Sequence, residues 1–266
     1  MCTLSPRPSP IAVAPALLLV VISLWEVCAA RRDAASAPGD AAWHAAGERV
    51  RAGYRPGDLI VFAPAWIDPV GRKELGDLIP LAVAARMDAA RYGRIWEVAI
   101  RGARSPDTAG LEPVQAEDHD GVSVRRYERA PAIVVSDVLE RLPAATADGA
   151  RPALELAEVG FAPHRCLQIS PAPGTPLRIT FPQLPLGKEL VGYVGIADVF
   201  SRRDVRSPSR LDVELAGEII ASATAGVDDG WVRFAAVTPP GAADVTFVVR
   251  ATDANRRICF AAEARQ

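Results

Sequence analysis

Aromatic residues make up 6% of this 266-residue chain, and histidine occurs three times. The four cysteines form no C-x-x-C pair and no Cys/His spacing, so a zinc site is not expected. Lysine is nearly missing: Lys73 and Lys188 are the two, and arginine supplies the rest of 30 basic residues against 32 acidic ones. A net charge of −2 leaves no basic surplus for nucleic acid. The arginine excess, together with abundant alanine and 23 prolines, reads as the codon bias of a GC-rich genome and not as a phosphate site. No glycine-rich loop follows the first strand-like run, which disfavours a nucleotide. No Gly-x-Ser-x-Gly elbow and no Ser/His/Asp arrangement is present either. These absences point away from an enzyme: no catalytic residue, no cofactor and no firm metal site are expected.

One long apolar run is present, IAVAPALLLVVISLW (11–25), after a head carrying Arg7. Glu26 breaks it, and the small residues Cys28, Ala29 and Ala30 follow. A positive start, an apolar middle and a small-residue exit are the parts of an export signal. The apolar stretch is about 15 residues, short of the ~20 that span a bilayer. Residues 1–30 are therefore read as an export signal, with an uncleaved N-terminal anchor over 11–30 as the alternative. Either way the remainder is expected outside the cytoplasm, in the periplasm, at the cell surface or secreted.

The rest of the chain changes texture once. Residues 31–41 (RRDAASAPGDA) read as a linker. AAWHAAGERVRA (41–52) places Trp43, Ala46 and Val50 on one helical face. YRPGDLIVFAPAW (54–66) contains a continuous apolar run, as in a strand covered on both faces. PLAVAARMDAARY (80–92) predicts an alanine-rich helix, RIWEVAIRG (94–102) a second strand parallel to the first, and 103–121 a polar loop. GVSVRRYERA (121–130) alternates as a half-exposed strand. From 131 onward, about nine short strand-like runs separated by turns predict an antiparallel sandwich, with a hairpin at Ala216-Gly217. The expected fold class is α+β: a small α/β domain over 42–130 and a β-sandwich of jelly-roll type over 131–266. Cys166 and Cys259 lie in strand-like contexts near the two ends of the second half. In an oxidising compartment they read as a disulfide, with two separate buried thiols as the alternative.

Three segments carry a resemblance. LDVELAGEIIAS (211–222), DDGWVRFAAVTPPGAADVTFVVRA (228–251) and the closing RRICFAAEA (256–264) resemble the jelly-roll sandwiches of carbohydrate-binding modules and galactose-binding-like domains. RPGDLIVFAPAW (55–66) and ARYGRIWEVAIRG (90–102) more loosely resemble the extracytoplasmic soluble region of polytopic glycosyltransferases. The chain lacks the multiple membrane helices and membrane-proximal carboxylates of those enzymes, so the likeness implies a polysaccharide-related setting and no transferase activity. The implied partners are a polysaccharide or another envelope protein, with membrane contact only through residues 11–30. The competing role is that of an accessory domain beside a membrane glycosyltransferase, or a purely structural interaction module.

Candidate site residues follow from strand alternation. Trp231 and Arg233 share one face of their strand while Val232 and Phe234 share the other. If the second pair faces the core, Trp231 stands exposed beside a guanidinium, where an indole can stack on a sugar; the alternative is a core tryptophan between the two sheets. Tyr193 and Phe200 are weaker candidates for the same reason. Asp68, Arg72 and Asp77 follow the first strand, at the end of a parallel layer where ligands bind, with a capped loop carrying surface charges as the alternative. Asp228-Asp229-Gly230 is an acidic turn and a weak Ca²⁺ candidate, with a plain turn as the alternative. The acidic run Glu117-Asp118-His119-Asp120 reads as a solvated loop. The charged run of Asp198, Arg202, Arg203 and Asp204 reads as internal ion pairing.

Overall fold

The computed structural model describes residues 10–35, 37–197 and 206–266. Asp198, Phe200, Arg202, Arg203 and Asp204 lie outside the described residues. Helix α1 (Pro10–Ala35) runs past Glu26 and through Arg31 and Arg32 without a break. Glutamate, arginine and alanine all favour helix, so charge alone does not end it. Its stretch Ala14–Ala34, of mean hydropathy 1.7 and with none of it buried, is long and apolar enough to cross a membrane.

Helix α2 (Asp40–Gly53) lays Trp43, Ala46 and Val50 on a four-stranded sheet, following the spacing of its apolar residues. That sheet runs in the order β1 (Leu59–Ala63), β2 (Arg94–Ile100), β4 (Val122–Glu128), β3 (Gln115–His119). β1 and β2 are parallel, with Leu59 opposite Ile95, and the other pairs are antiparallel. Every residue of β1 is buried because both of its faces are covered. Ile60 and Phe62 pack under α2, while Leu59 and Val61 meet Ile95, Tyr127 and Ala89 on the reverse face.

The β1–β2 crossover departs from expectation. Residues 68–75, expected as loop, form helix α3 (Asp68–Leu75), with Pro69 in its first turn. A Cβ on Gly71 would collide with the Phe62 ring, so glycine there lets α3 lie flat on the sheet. The helix expected over 80–92 shrinks to the single turn of α4 (Leu81–Ala84). Beyond it, residues 85–92 leave helical geometry and give their backbone carbonyls to the second half of the molecule. Tertiary docking overrides alanine's preference here. The polar loop expected over 103–121 contains strand β3, because Asp120 and Gly121, both in the left-handed region, turn the chain back into β4.

The second half is a two-layer antiparallel sandwich. Its first strands are β5 (Val134–Asp137), β6 (Thr146–Ala147), β7 (Ala153–Val159) and β8 (Ala162–Ile169), with the short helix α5 (Val138–Arg141) after β5. Next come β9 (Leu177–Leu186), β10 (Glu189–Ile196), β11 (Ser209–Leu215) and β12 (Glu218–Ala225). The last are β13 (Val232–Val237), β14 (Gly241–Arg250) and β15 (Ile258–Arg265). One layer has the order β13-β10-β15-β8-β7, with β5 also on β15, and the other β12-β11-β14-β9-β6. From β9 onward the chain changes layer at almost every connection, which is the wrapping of a jelly roll. The hairpin turns at Ala216 and Gly217, both with positive φ, as the two-residue primed turn requires. Phe181, Phe234, Phe247 and Phe260 meet at the centre of the core between the layers.

β15, like the shorter β1, is buried along its whole length on both faces. Ile258, Phe260, Ala262 and Ala264 point into the sandwich, which leaves Cys259, Ala261, Glu263 and Arg265 on the outer face. Cys259 is bonded to Cys166 of β8 there, Cα–Cα 5.5 Å, across 93 residues. The disulfide sits in a small outer cluster with Ala157, Val159 and Ala197, outside the main core. In the chain-entropy picture a loop of that length is worth roughly 4–5 kcal/mol. The double variant Cys166→Ser/Cys259→Ser should unfold at lower urea than the oxidised parent by about that free energy, and a reductant should shift the parent to match it.

Candidate functional site

The site is built where residues 85–92 cross the outer face of the β15 layer. Ala85 accepts the Arg165 amide at 2.9 Å, Met87 accepts the Trp231 indole N–H at 3.1 Å, and Ala90 accepts the Ala132 amide at 2.8 Å. Between these points runs a chain of ion pairs. Arg91 reaches Asp137 at 2.5 Å and Glu263 at 2.6 Å, Glu263 holds Arg265 at 2.9 Å, and Arg265 bonds both oxygens of Asp88 at 2.9 and 3.0 Å. Tyr193 donates its hydroxyl to Asp88 at 3.4 Å. Burial pushes the Glu263 carboxyl upward against the pull of its two guanidinium neighbours. The cost of desolvating such charges is offset only when each is paired and hydrogen-bonded, as these are.

Trp231 sits at the start of β13, half buried over the disulfide cluster, and its ring is engaged by protein on both counts that matter. His164 stacks on it at 4.4 Å between centroids and 16° between planes, and Tyr193 stacks at 5.9 Å and 7°. The His164 Nδ1 lies 3.3 Å from the Arg86 carbonyl. A carbonyl only accepts, so the proton belongs on Nδ1 and Nε2 keeps a lone pair. Burial lowers the His164 pKa from 6.5 to about 4.

Beneath this seam opens a cavity of about 550 Å³. One wall is the carboxyl end of β1 with Asp68 and Arg72 of α3, and another is the 104–107 loop. The third is the β7–β8 hairpin with Phe161 and His164, and Tyr193 and Trp231 close it. Asp68 and Arg72 form an i,i+4 pair at 2.5 Å, and Arg86 holds Asp107 at 2.5 Å across the cavity rim. Glu97, fully buried on β2, anchors the second wall. It accepts from the Ser105 amide at 2.7 Å, the Thr108 hydroxyl at 2.5 Å and the Tyr127 hydroxyl at 3.1 Å, and it pairs with Arg125 at 3.0 Å. Phe161, 71% exposed, caps the hairpin with φ +66 beside Gly160 at +58. A bulky residue held in the left-handed region is backbone strain of the kind that gathers at binding sites.

Four of the residues singled out from sequence, Asp68, Arg72, Tyr193 and Trp231, therefore line one cavity, although they come from opposite ends of the fold. The others do not join them. Arg233 is exposed opposite Tyr193 in the β10–β13 ladder, and Trp231 is half buried under its stacking partners instead of standing exposed beside it. Asp77 pairs with Arg51 at 2.6 Å on the far side of α3. Asp229 accepts the Gly226 amide at 2.7 Å within its own turn, and Glu117 is taken by Arg49 at 2.8 Å. Among the described residues no cluster of three or more histidine, cysteine or carboxylate side chains could hold a metal. Sequence reading missed Arg86, Asp88, Asp107, Phe161 and His164. The signal for Phe161 was visible: Gly-Phe between two alternating runs is a two-residue hairpin carrying an aromatic at its tip.

The His164 shift has a sign that can be measured. A protonation site lowered from 6.5 to about 4 binds its proton more readily in the unfolded chain, so stability falls as pH drops through that window and levels off below it. Urea midpoints taken between pH 7 and pH 4 should decline, and the decline should shrink in His164→Phe, which keeps a ring on Trp231.

No family model matches the sequence, and no curated protein matches it. Solved structures similar to the chain are mainly carbohydrate-binding modules. They include CBM51-2 in complex with GlcNAc and INT domains from Clostridium perfringens ZmpB, at 13% identity and a TM-score of 0.37 over 59% of this chain. The tandem CBM51 modules of a family 98 glycoside hydrolase from Streptococcus pneumoniae match at 10% and 0.33 over 56%. The CBM22-1–GH10 modules of Clostridium thermocellum xylanase 10B, complexed with xylohexaose, match at 16% and 0.34 over 52%. The chain spans 41%, 57% and 29% of those structures' own lengths. They do not show the likeness of the α/β part to glycosyltransferase soluble regions, and at such scores the cavity has to be read on its own chemistry.

Proposed function

We propose that this protein is an extracytoplasmic saccharide-binding protein whose ligand occupies the cavity between the α/β layer and the sandwich. The observation that carries the reading is the composition of that cavity. Planar Asp–Arg pairs stand on two sides and aromatic rings on the others. Sugars present the same division, with hydroxyls that donate and accept around the ring edge and an apolar C–H face. A volume of about 550 Å³ falls within the range of small-ligand sites, roughly 300–1,000 Å³. Helix α1 serves as the export signal or the membrane anchor in this reading, and the Cys166–Cys259 bond supports an oxidising compartment. Binding needs no group to change protonation or form a covalent bond, so the role is one of recognition.

The full chain in detergent, applied to a glycan array and then titrated calorimetrically with the best hit, tests this. Arg72→Ala and Phe161→Ala should each weaken binding about tenfold, the loss of one good contact. Lys188→Ala, exposed between β9 and β10 and away from the cavity, should leave it unchanged. An array with no signal, or affinity indifferent to Arg72 and Phe161, would remove the reading. Protease accessibility of the intact cell, with the mass of the mature chain, checks export: a start near residue 30 indicates cleavage, a full-length chain an anchor.

A further inference from the structure

We infer that the cavity is matched to an uncharged saccharide and discriminates against acidic ones, an inference that rests on the saccharide reading above. The charged side chains lining it are Asp68, Asp88 and Asp107 against Arg72, Arg86 and Arg104, so carboxylates and guanidiniums balance. Each has a protein partner. Asp68 is held by Arg72 at 2.5 Å, Asp107 by Arg86 at 2.5 Å, Asp88 by Arg265 at 2.9 Å, and Arg104 lies 3.4 Å from Glu97. His164, with its pKa near 4, adds no charge at neutral pH.

A uronate or sulfate entering this space would give up hydration and meet guanidiniums whose attraction is offset by the carboxylates paired with them, so no net positive charge repays its desolvation. A hydroxyl makes no such demand. It donates to the free lone pairs of a carboxylate and accepts from the free N–H groups of the adjoining guanidinium, leaving the pair intact. A ring with neighbouring hydroxyls can bridge an Asp–Arg pair through both atoms at once. The His164 Nε2, left as an acceptor by the bond from Nδ1 to the Arg86 carbonyl, extends the same preference for a donating hydroxyl.

Salt dependence separates the two ligand classes, because screening weakens attraction to a charged ligand and leaves a neutral one alone. The full chain should be titrated with the best neutral oligosaccharide from the array and with oligogalacturonate and a sulfated oligosaccharide. The neutral ligand is expected to bind with a Kd that changes less than about twofold between about 20 mM and about 500 mM NaCl, and the acidic ligands not to compete. Asp68→Asn releases Arg72 on the exposed face of α3, and should acquire salt-sensitive affinity for oligogalacturonate, stronger than the parent's by about fivefold at low salt. Circular dichroism confirms that this variant is folded. Preferential binding of an acidic oligosaccharide by the parent, weakening steeply with salt, would overturn the inference and leave the saccharide reading standing, as would an Asp68→Asn protein that gains nothing. Failure of every oligosaccharide to bind would remove both.

Discussion

Everything that makes this molecule more than two adjacent folds depends on one packing event, the laying of residues 85–92 across the outer face of the β15 layer. That segment supplies the arginine and aspartate of the ion-pair chain through Glu263 and Arg265, and the carbonyls that receive Trp231 and His164. Remove it and Glu263 and Arg265 on the outer face of β15 keep each other but lose Arg91 and Asp88, Trp231 loses the acceptor of its indole N–H, and the cavity loses part of its lining. The energetics are of mixed kind. Apolar burial near the disulfide is small, and the directionality comes from charge-assisted hydrogen bonds whose geometry is strict.

The near-absence of lysine belongs with that constraint. Arg91 bridges two carboxylates with different nitrogens of one planar fork, and Arg265 does the same between Glu263 and Asp88. A lysine ammonium, a point charge on a flexible stem, could hold one of these partners and would leave the other to chance. Codon bias accounts for the number of arginines in the chain. What the fold has done with a few of them is a matter of geometry.

The fold was largely legible from sequence because its signals are local. Continuous apolar runs gave β1 and β2, and short strand-like runs gave β7 to the residue, most of β11 to β14 and the second half of β8. Ala216-Gly217 gave the hairpin, and Trp43, Ala46 and Val50 gave α2. What escaped is long-range. The alanine-rich segment 80–92 satisfies every local rule for a helix, and only the sandwich 40 or more residues downstream pulls it open, as the Arg165 amide on the Ala85 carbonyl shows. Glu97 looked like one more residue of an apolar strand until its five partners were in place around it. The convergence of Asp68 and Arg72 with Tyr193 and Trp231 has no counterpart in spacing at all, since it is created by the docking of one half on the other.

The position of the disulfide has a consequence for the order in which the molecule is completed. The four central phenylalanines lie on the other side of the β15 layer from Cys166 and Cys259, so the sandwich can condense around them while both sulfurs are still thiols. What the sulfurs touch is the patch on which Trp231 rests. Oxidation therefore fastens the ground under one wall of the cavity as well as stabilising the whole chain, and a chain that has folded but not yet met an oxidant would have its central core while Trp231 rests on an unfastened patch.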